Sequence, residues 1–113
     1  MDIDLINSLT KPDLFEKFKI QVYKDFELAG VLDYMPVIET NNLTELKENF
    51  YASILKLEIT NALKILLYRI DITELQIKQA SQKNSEMPLQ QILAELMIKR
   101  ILQKVVLKEL YSK

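Results

Sequence analysis

The 113-residue sequence contains no cysteine and no histidine, and its single glycine is Gly30. Without cysteine the chain cannot form a disulfide, a thiol nucleophile or a thiolate metal site. Without histidine it lacks the most common general base near neutral pH and the most common nitrogen ligand for metals. One glycine cannot build a glycine-rich loop around a phosphate. These absences predict a protein that is not an enzyme and that has neither a cofactor nor a metal site.

Long apolar runs and strong net charge are also missing. No uncharged stretch approaches the roughly 20 apolar residues that a membrane span requires. The opening residues Met1-Asp2-Ile3-Asp4 lack the basic-then-apolar order of a secretory signal. A net charge of −1 provides no overall field that attracts nucleic acid or anionic lipid. We therefore expect a cytoplasmic protein that does not bind membranes, and the lack of cysteine is compatible with a reducing compartment.

The composition is that of a folded domain, with 49% hydrophobic and 27% charged residues. Its length suits a single domain over residues 1–113. Residues 1–9 form an N-terminal arm that is either flexible or packed on the domain through its apolar side chains, Ile3, Leu5, Ile6 and Leu9.

The first long periodic segment predicts a helix that begins near Pro12 and ends at Gly30. Thr10 is the expected N-cap, and Pro12 suits the first turn because its missing N–H is not needed there. Gly30 is the expected stop because glycine adopts positive φ at no steric cost. Residues 31–42 are too apolar for a free linker, so we expect a connection that packs across the bundle.

The second predicted helix begins after Asn42 and continues to about Arg69. Asn42 is the expected cap, with Glu45 reaching back to it. The apolar positions form two stripes rotated from each other by more than a third of a turn, which is typical of a central helix with neighbours on two sides. One stripe is Leu46, Phe50, Ile54 and Leu57; the other is Leu55, Ile59, Ala62, Leu63, Leu66 and Ile70.

Residues 68–75, YRIDITEL, combine an arginine, a tyrosine and two carboxylates. We interpret this stretch as a corner between two helices, since Asp71 followed by Glu74 fits the cap and reach-back positions of a new helix. Thr73 is the alternative cap. A chemical site is disfavoured because no nucleophile, histidine or glycine loop accompanies the charges. A short third helix is predicted from Glu74 to Gln82.

The fourth predicted helix runs to about Tyr111, with Ser85 as its cap and Pro88 in its first turn. Its apolar face changes along its length. A first cluster comprises Leu89, Ile92, Leu93 and Leu96, and a second lies on the opposite side and comprises Ile98, Ile101, Leu102 and Val105. Either the bundle wraps this helix on two sides, or the second cluster is a partner interface, most simply in a homodimer.

The same helix carries Arg100, Lys104 and Lys108, which are four residues apart and share one face. This spacing permits weak contacts with phosphates. Cations also collect at helix C-termini because of the helix dipole, and only Tyr111 could supply aromatic stacking nearby. Nucleic acid is therefore the less favoured type of partner.

The fold class predicted from these segments is all-α. We expect a small antiparallel helical bundle of three long helices and one short helix, with the second and fourth at its centre. The predicted function is that of a non-enzymatic helical interaction or assembly protein that binds a protein partner, which includes a second copy of itself. Two alternatives remain: an accessory nucleic-acid-binding protein using the basic C-terminal helix, and a small apolar-ligand binder with a cavity between the central helices.

Overall fold

The protein is all-helical in the computed structural model, which describes residues 3–111, with side chains from Leu5 onward. The described part of the chain forms six α-helices and one short 3-10 turn, and its Cα radius of gyration is 13.4 Å. The helices are α1 (Ile3–Ser8), α2 (Pro12–Leu28), α3 (Leu43–Leu57), α4 (Ala62–Ile70), α5 (Glu74–Lys83) and α6 (Leu89–Tyr111), and the 3-10 turn covers Leu32–Tyr34. The all-α prediction is confirmed, whereas the expected set of four helices is replaced by six.

Helix α6 lies at the centre of the fold and packs against α1, α2, α3, α4 and α5. Its buried residues come from both apolar clusters of the sequence; they are Ile92, Leu93, Ala94, Met97, Ile98, Ile101, Leu102 and Val105. A helix surrounded on several sides needs apolar residues around much of its girth. The change of face along this helix therefore reflects burial within the chain.

The second predicted helix is interrupted after Leu57, so α3 and α4 are separate elements. Thr60 accounts for the break locally. Its hydroxyl donates to the Leu57 carbonyl at 2.7 Å and accepts from the Ala62 N–H at 3.1 Å. Threonine side chains compete in this way with the backbone hydrogen bonds of a continuing helix. The rotation between the two predicted apolar stripes coincides with this break.

Helices α2 and α4 end in the same way, each with a residue of positive φ followed by a buried β-branched residue. Gly30 has φ of 74°, and the next N–H, of Val31, bonds the Phe26 carbonyl at 2.9 Å. Asp71 has φ of 72°, and the Ile72 N–H bonds the Leu67 carbonyl at 2.9 Å. Both ends are Schellman motifs. Gly30 is the predicted stop, but the sequence analysis assigned Asp71 to the start of the next helix.

The helix N-termini agree only partly with the predicted caps. The Asn42 side chain accepts from the Glu45 N–H at 3.1 Å, as predicted, but the Glu45 carboxylate accepts from Thr40 instead of reaching back. Thr73, the alternative to Asp71, caps α5 in a reciprocal capping box with Gln76. Thr10 and Ser85 are not caps, because Thr10 donates to the Asn7 carbonyl and α6 begins only at Leu89.

The N-terminal arm packs on the domain. Leu9 is buried in the core, and its carbonyl accepts from the Asn41 side chain at 3.0 Å. Helix α1, which the sequence analysis did not predict, packs against α6. The Ile3 side chain, named in the prediction for this arm, lies outside the described residues. The 31–42 connection also packs as predicted, since Val31 is buried and Asn49 of α3 donates to the Val37 carbonyl.

Candidate functional site

The four residues predicted as a partner interface, Ile98, Ile101, Leu102 and Val105, lie in the interior of the chain. The first three are fully buried and Val105 is 3% exposed. These side chains present no surface to a second molecule, which favours the first of the two alternatives, that the bundle wraps this helix on two sides. The physical reason is the central position of α6, whose neighbours cover the face that carries this second cluster.

The three cations predicted to contact phosphate bond to acceptors within the chain. Arg100 Nη2 donates to Oδ2 of Asp71 at 2.8 Å. Lys104 Nζ donates to Oδ2 of Asp25 and to the Arg69 carbonyl, each at 3.2 Å. Lys108 Nζ donates to Oε1 of Gln21 at 2.7 Å. Arg100, Lys104 and Lys108, with their acceptors, form a polar row that connects α6 to α2 and to the end of α4. These three cations are therefore not a stripe of unpaired charge.

Asp25 is the centre of this polar row. It is 2% exposed, and its second carboxylate oxygen accepts from Nε2 of Gln21 at 3.0 Å. A buried carboxylate is tolerated only with such compensation. The arrangement connects α2 and α6 through donors and acceptors that satisfy one another.

The YRIDITEL stretch is a corner, as predicted, rather than a cluster of converging groups. The Tyr68 side chain is 84% exposed and the Arg69 side chain is exposed to solvent. Glu74 lies in the first turn of α5, where a negative charge interacts favourably with the helix dipole and so stabilises the helix. The stretch therefore ends one helix and begins another.

A groove lies between α5 and α6, with a volume of about 450 Å³. This volume falls within the roughly 300–1,000 Å³ typical of ligand sites, and the groove is partly open to solvent. Its apolar lining comes from Ile72, Ala80, Met87, Ile92 and Leu96. Its polar lining comes from Gln76, Gln79, Lys83, Asn84, Glu95, Lys99, Arg100 and Gln103. The groove does not lie between the central helices, where the sequence analysis placed an apolar ligand.

The groove exists because α5 covers α6 incompletely. Helix α5 packs against α6 but contains no buried residue. Only Ile77, Ala80 and Ser81 of α5 are half-buried, so ten residues of helix contribute a narrow contact. The segment of the predicted short third helix has few apolar positions, which is a signal that this helix covers its neighbour incompletely. No groove was predicted from that signal.

The groove carries more positive than negative charge. Its one carboxylate, Glu95, pairs with Lys47 of α3 at 3.1 Å, and Arg100 pairs with Asp71. Within residues 5–111, Lys83 and Lys99 make no ion pair. Arg100 Nε is buried and has no hydrogen-bond partner among the described atoms. Two unpaired ammonium groups and a partly used guanidinium therefore line the groove.

Other kinds of site find no support in the described part of the chain. Residues 3–111 include no cluster of three or more acidic, histidine or cysteine side chains arranged to hold a metal ion. Over the same range, no helix combines the length and apolarity needed to cross a bilayer. No family model, curated protein or solved structure matches the chain. The α5–α6 groove, through its geometry and charge, is the feature of residues 3–111 that bears on function.

Proposed function

We propose that this chain is a non-enzymatic helical interaction protein that binds another protein in the groove between α5 and α6. A cytoplasmic location belongs to the same proposal, since a cysteine-free composition suits a reducing compartment. The observation that carries the proposal is the open groove itself, which combines an apolar floor with polar and cationic walls. Protein interfaces commonly have this layout of an apolar centre and a polar rim.

Two features of the lining favour a protein over a small apolar ligand. The groove is partly open to solvent, whereas small-molecule sites bury most of their ligand. Met87, which is half-buried at one end, is a flexible and polarizable side chain of the kind that binding surfaces use to adapt to a partner. An open surface that can adapt suits a polypeptide chain.

The nucleic-acid alternative has less support than the sequence suggested. Lys104 and Lys108 are engaged with Asp25 and Gln21, so binding phosphate would require these internal bonds to break. Neutralising phosphates needs several accessible cations at once. A role in self-assembly through the second apolar cluster of α6 has no support either, because that cluster is buried.

Site-specific photo-crosslinking in the native cell tests the proposed function. A benzophenone side chain is placed at Gln79, which is exposed and lines the groove, and in a matched variant at Lys64, which is exposed on α4 away from it. We expect a discrete crosslinked protein adduct from position 79 and none of that size from position 64. Equal adducts from both positions, or none from position 79, would overturn the proposal.

A further inference from the structure

We propose that the α5–α6 groove takes an acidic amphipathic helix, supplied by the partner protein, with apolar side chains on the groove floor and carboxylates on its cationic walls. This inference rests on the proposed function and deepens it by naming the chemistry of the partner. The shape of the groove, its apolar floor and its unbalanced charge support it.

The shape of the groove suits a helix. Helices α5 and α6 are consecutive, joined by the short segment 84–88, and they pack side by side. A pair of neighbouring helices leaves a furrow between them, and the side-chain ridges of a third helix fill such a furrow. The ten residues of α5 extend about 15 Å at 1.5 Å per residue, which corresponds to roughly three turns of a bound helix.

The floor of the groove provides an apolar strip. Ile72 and Ile92 are 8% and 4% exposed, so they form a nearly closed base, while Leu96 and Met87 remain half-buried. Apolar side chains spaced three and four residues apart on one face of a helix would cover these half-buried groups. Removing apolar surface from water is the general source of affinity in such helix-in-groove complexes.

The cationic side chains on the walls of the groove favour an occupant with negative charge. Lys83 lies at the end of α5 and Lys99 lies on α6, so the groove has an unpaired ammonium group on each side. The only carboxylate in the lining, Glu95, is already neutralised by Lys47. An acidic helix gains from both lysines, whereas a basic helix meets like charge on both walls.

Arg100 adds a second indication of an anionic occupant. Its Nη2 serves Asp71, but its Nε–H is buried without an acceptor. Because this Nε–H has no exposed surface, Arg100 acts on an occupant through the positive charge of its guanidinium, next to the unpaired Lys99 in the sequence.

Binding of defined peptides to the purified full chain tests the inference. The probe is a fluorescent peptide of about 14 residues with leucines at helical spacing and glutamates elsewhere; a second peptide carries lysines for glutamates, and a third serines for leucines. The groove variant is Lys83→Glu with Lys99→Glu. The matched control is Lys64→Glu with Lys78→Glu, two exposed lysines that do not line the groove, Lys78 being on α5 itself. Circular dichroism melting confirms that all variants fold.

We expect fluorescence anisotropy to show binding of the acidic leucine peptide and not of the other two. The groove variant should weaken that binding by roughly tenfold, and the control variant by less than about twofold. Failure of the acidic peptide to bind, or equal weakening by both variants, would overturn the inference. So would equally tight, groove-dependent binding of a single-stranded oligonucleotide, because that ligand has charge but no apolar helical face.

The two proposals fail in different ways. If a partner is crosslinked at position 79 but the acidic peptide does not bind, the interaction function is supported and the inference of an acidic helix is contradicted. If the peptide binds but no partner is crosslinked in the cell, the preference of the groove for an acidic helix is supported and the interaction function is contradicted.

Discussion

Arg100 of α6 donates a hydrogen bond of 2.8 Å to Asp71, the residue at which α4 ends in a left-handed conformation. Asp71 is the one non-glycine residue with positive φ in the described part of the chain. The bond thus connects the central helix to the turn that redirects the chain into α5. Aspartate tolerates this conformation better than most residues do, because its short polar side chain bonds locally.

Replacing Asp71 separates the backbone requirement from the ion pair. Alanine at this position loses both, and the left-handed conformation alone costs an L-residue about 1–2 kcal/mol. Glycine loses the ion pair but adopts positive φ freely. Because the Asp71 side chain is 68% exposed, its ion pair contributes about 1 kcal/mol at most. Urea unfolding should show Asp71→Ala to be the more destabilising change, and equal losses for the two variants would contradict the role assigned to the turn.

Thr60 should matter to stability through its hydroxyl. Thr60→Ala removes the bonds to the Leu57 carbonyl and the Ala62 N–H, and we expect a loss of about 1 kcal/mol, the scale of a lost helix cap. Thr44→Ala is the matched control, since Thr44 is exposed within the first turn of α3. Urea unfolding measures both. A loss in the control as large as that in Thr60→Ala would count against the hydroxyl as the cause.

The buried pair of Asp25 and Lys104 should show strong energetic coupling. Asp25→Ala leaves the Lys104 ammonium group largely buried without its carboxylate, and we expect a loss of about 3 kcal/mol. Asp25→Leu combined with Lys104→Met removes both charges and should be less destabilising than Asp25→Ala alone. A double-mutant cycle on the free energy of unfolding measures the coupling, and additive effects would show that the two residues act independently.

Helix α5 should open more readily than the rest of the domain, because it contains no buried residue. Hydrogen exchange should be faster at the amides of Ile77 to Lys83 than at those of Ile98 to Val105. Thr73→Ala removes the capping box and should increase exchange in α5 several-fold while leaving α6 unchanged. Uniform acceleration in both helices would indicate that α5 opens only with the whole domain.

Ile98 and Ile59 form a matched pair of isoleucines. Ile98 is fully buried and Ile59 is 86% exposed. Ile98→Ala should destabilise the fold by about 2–5 kcal/mol, and Ile59→Ala by less than about 0.5 kcal/mol. Sedimentation should give the same mass for both variants and the parent protein. A change of oligomeric state in Ile98→Ala without a loss of stability would restore the interface first predicted for this position.

The helices that were predicted correctly are those whose ends have strong local signals. Helix α2 begins at Pro12 and ends just before Gly30, and α3 begins directly after Asn42. Each of these residues has a conformational preference that acts over one turn. The break at Thr60 was not predicted because the apolar positions continue across it. In a sequence, one helix with two apolar stripes has the same pattern as two successive helices with one stripe each.

Asp71 shows why helix ends can be misassigned. The same side chain suits an N-cap and a left-handed C-terminal turn, and in the structure it occupies the turn, where it pairs with Arg100, which is distant in sequence. The α5–α6 groove was missed for a similar reason. Its lining combines residues from 72 to 103, and periodicity within one helix does not report the space between two.

Every helix that α6 contacts precedes it in the chain. During synthesis, the apolar faces of α1 to α4 therefore have no central element to cover them until residues 92–105 have left the ribosome. At about 5–20 residues per second, that interval lasts several seconds. During that interval the nascent chain exposes apolar surface that the folded domain buries, and such exposure makes a chain prone to aggregation.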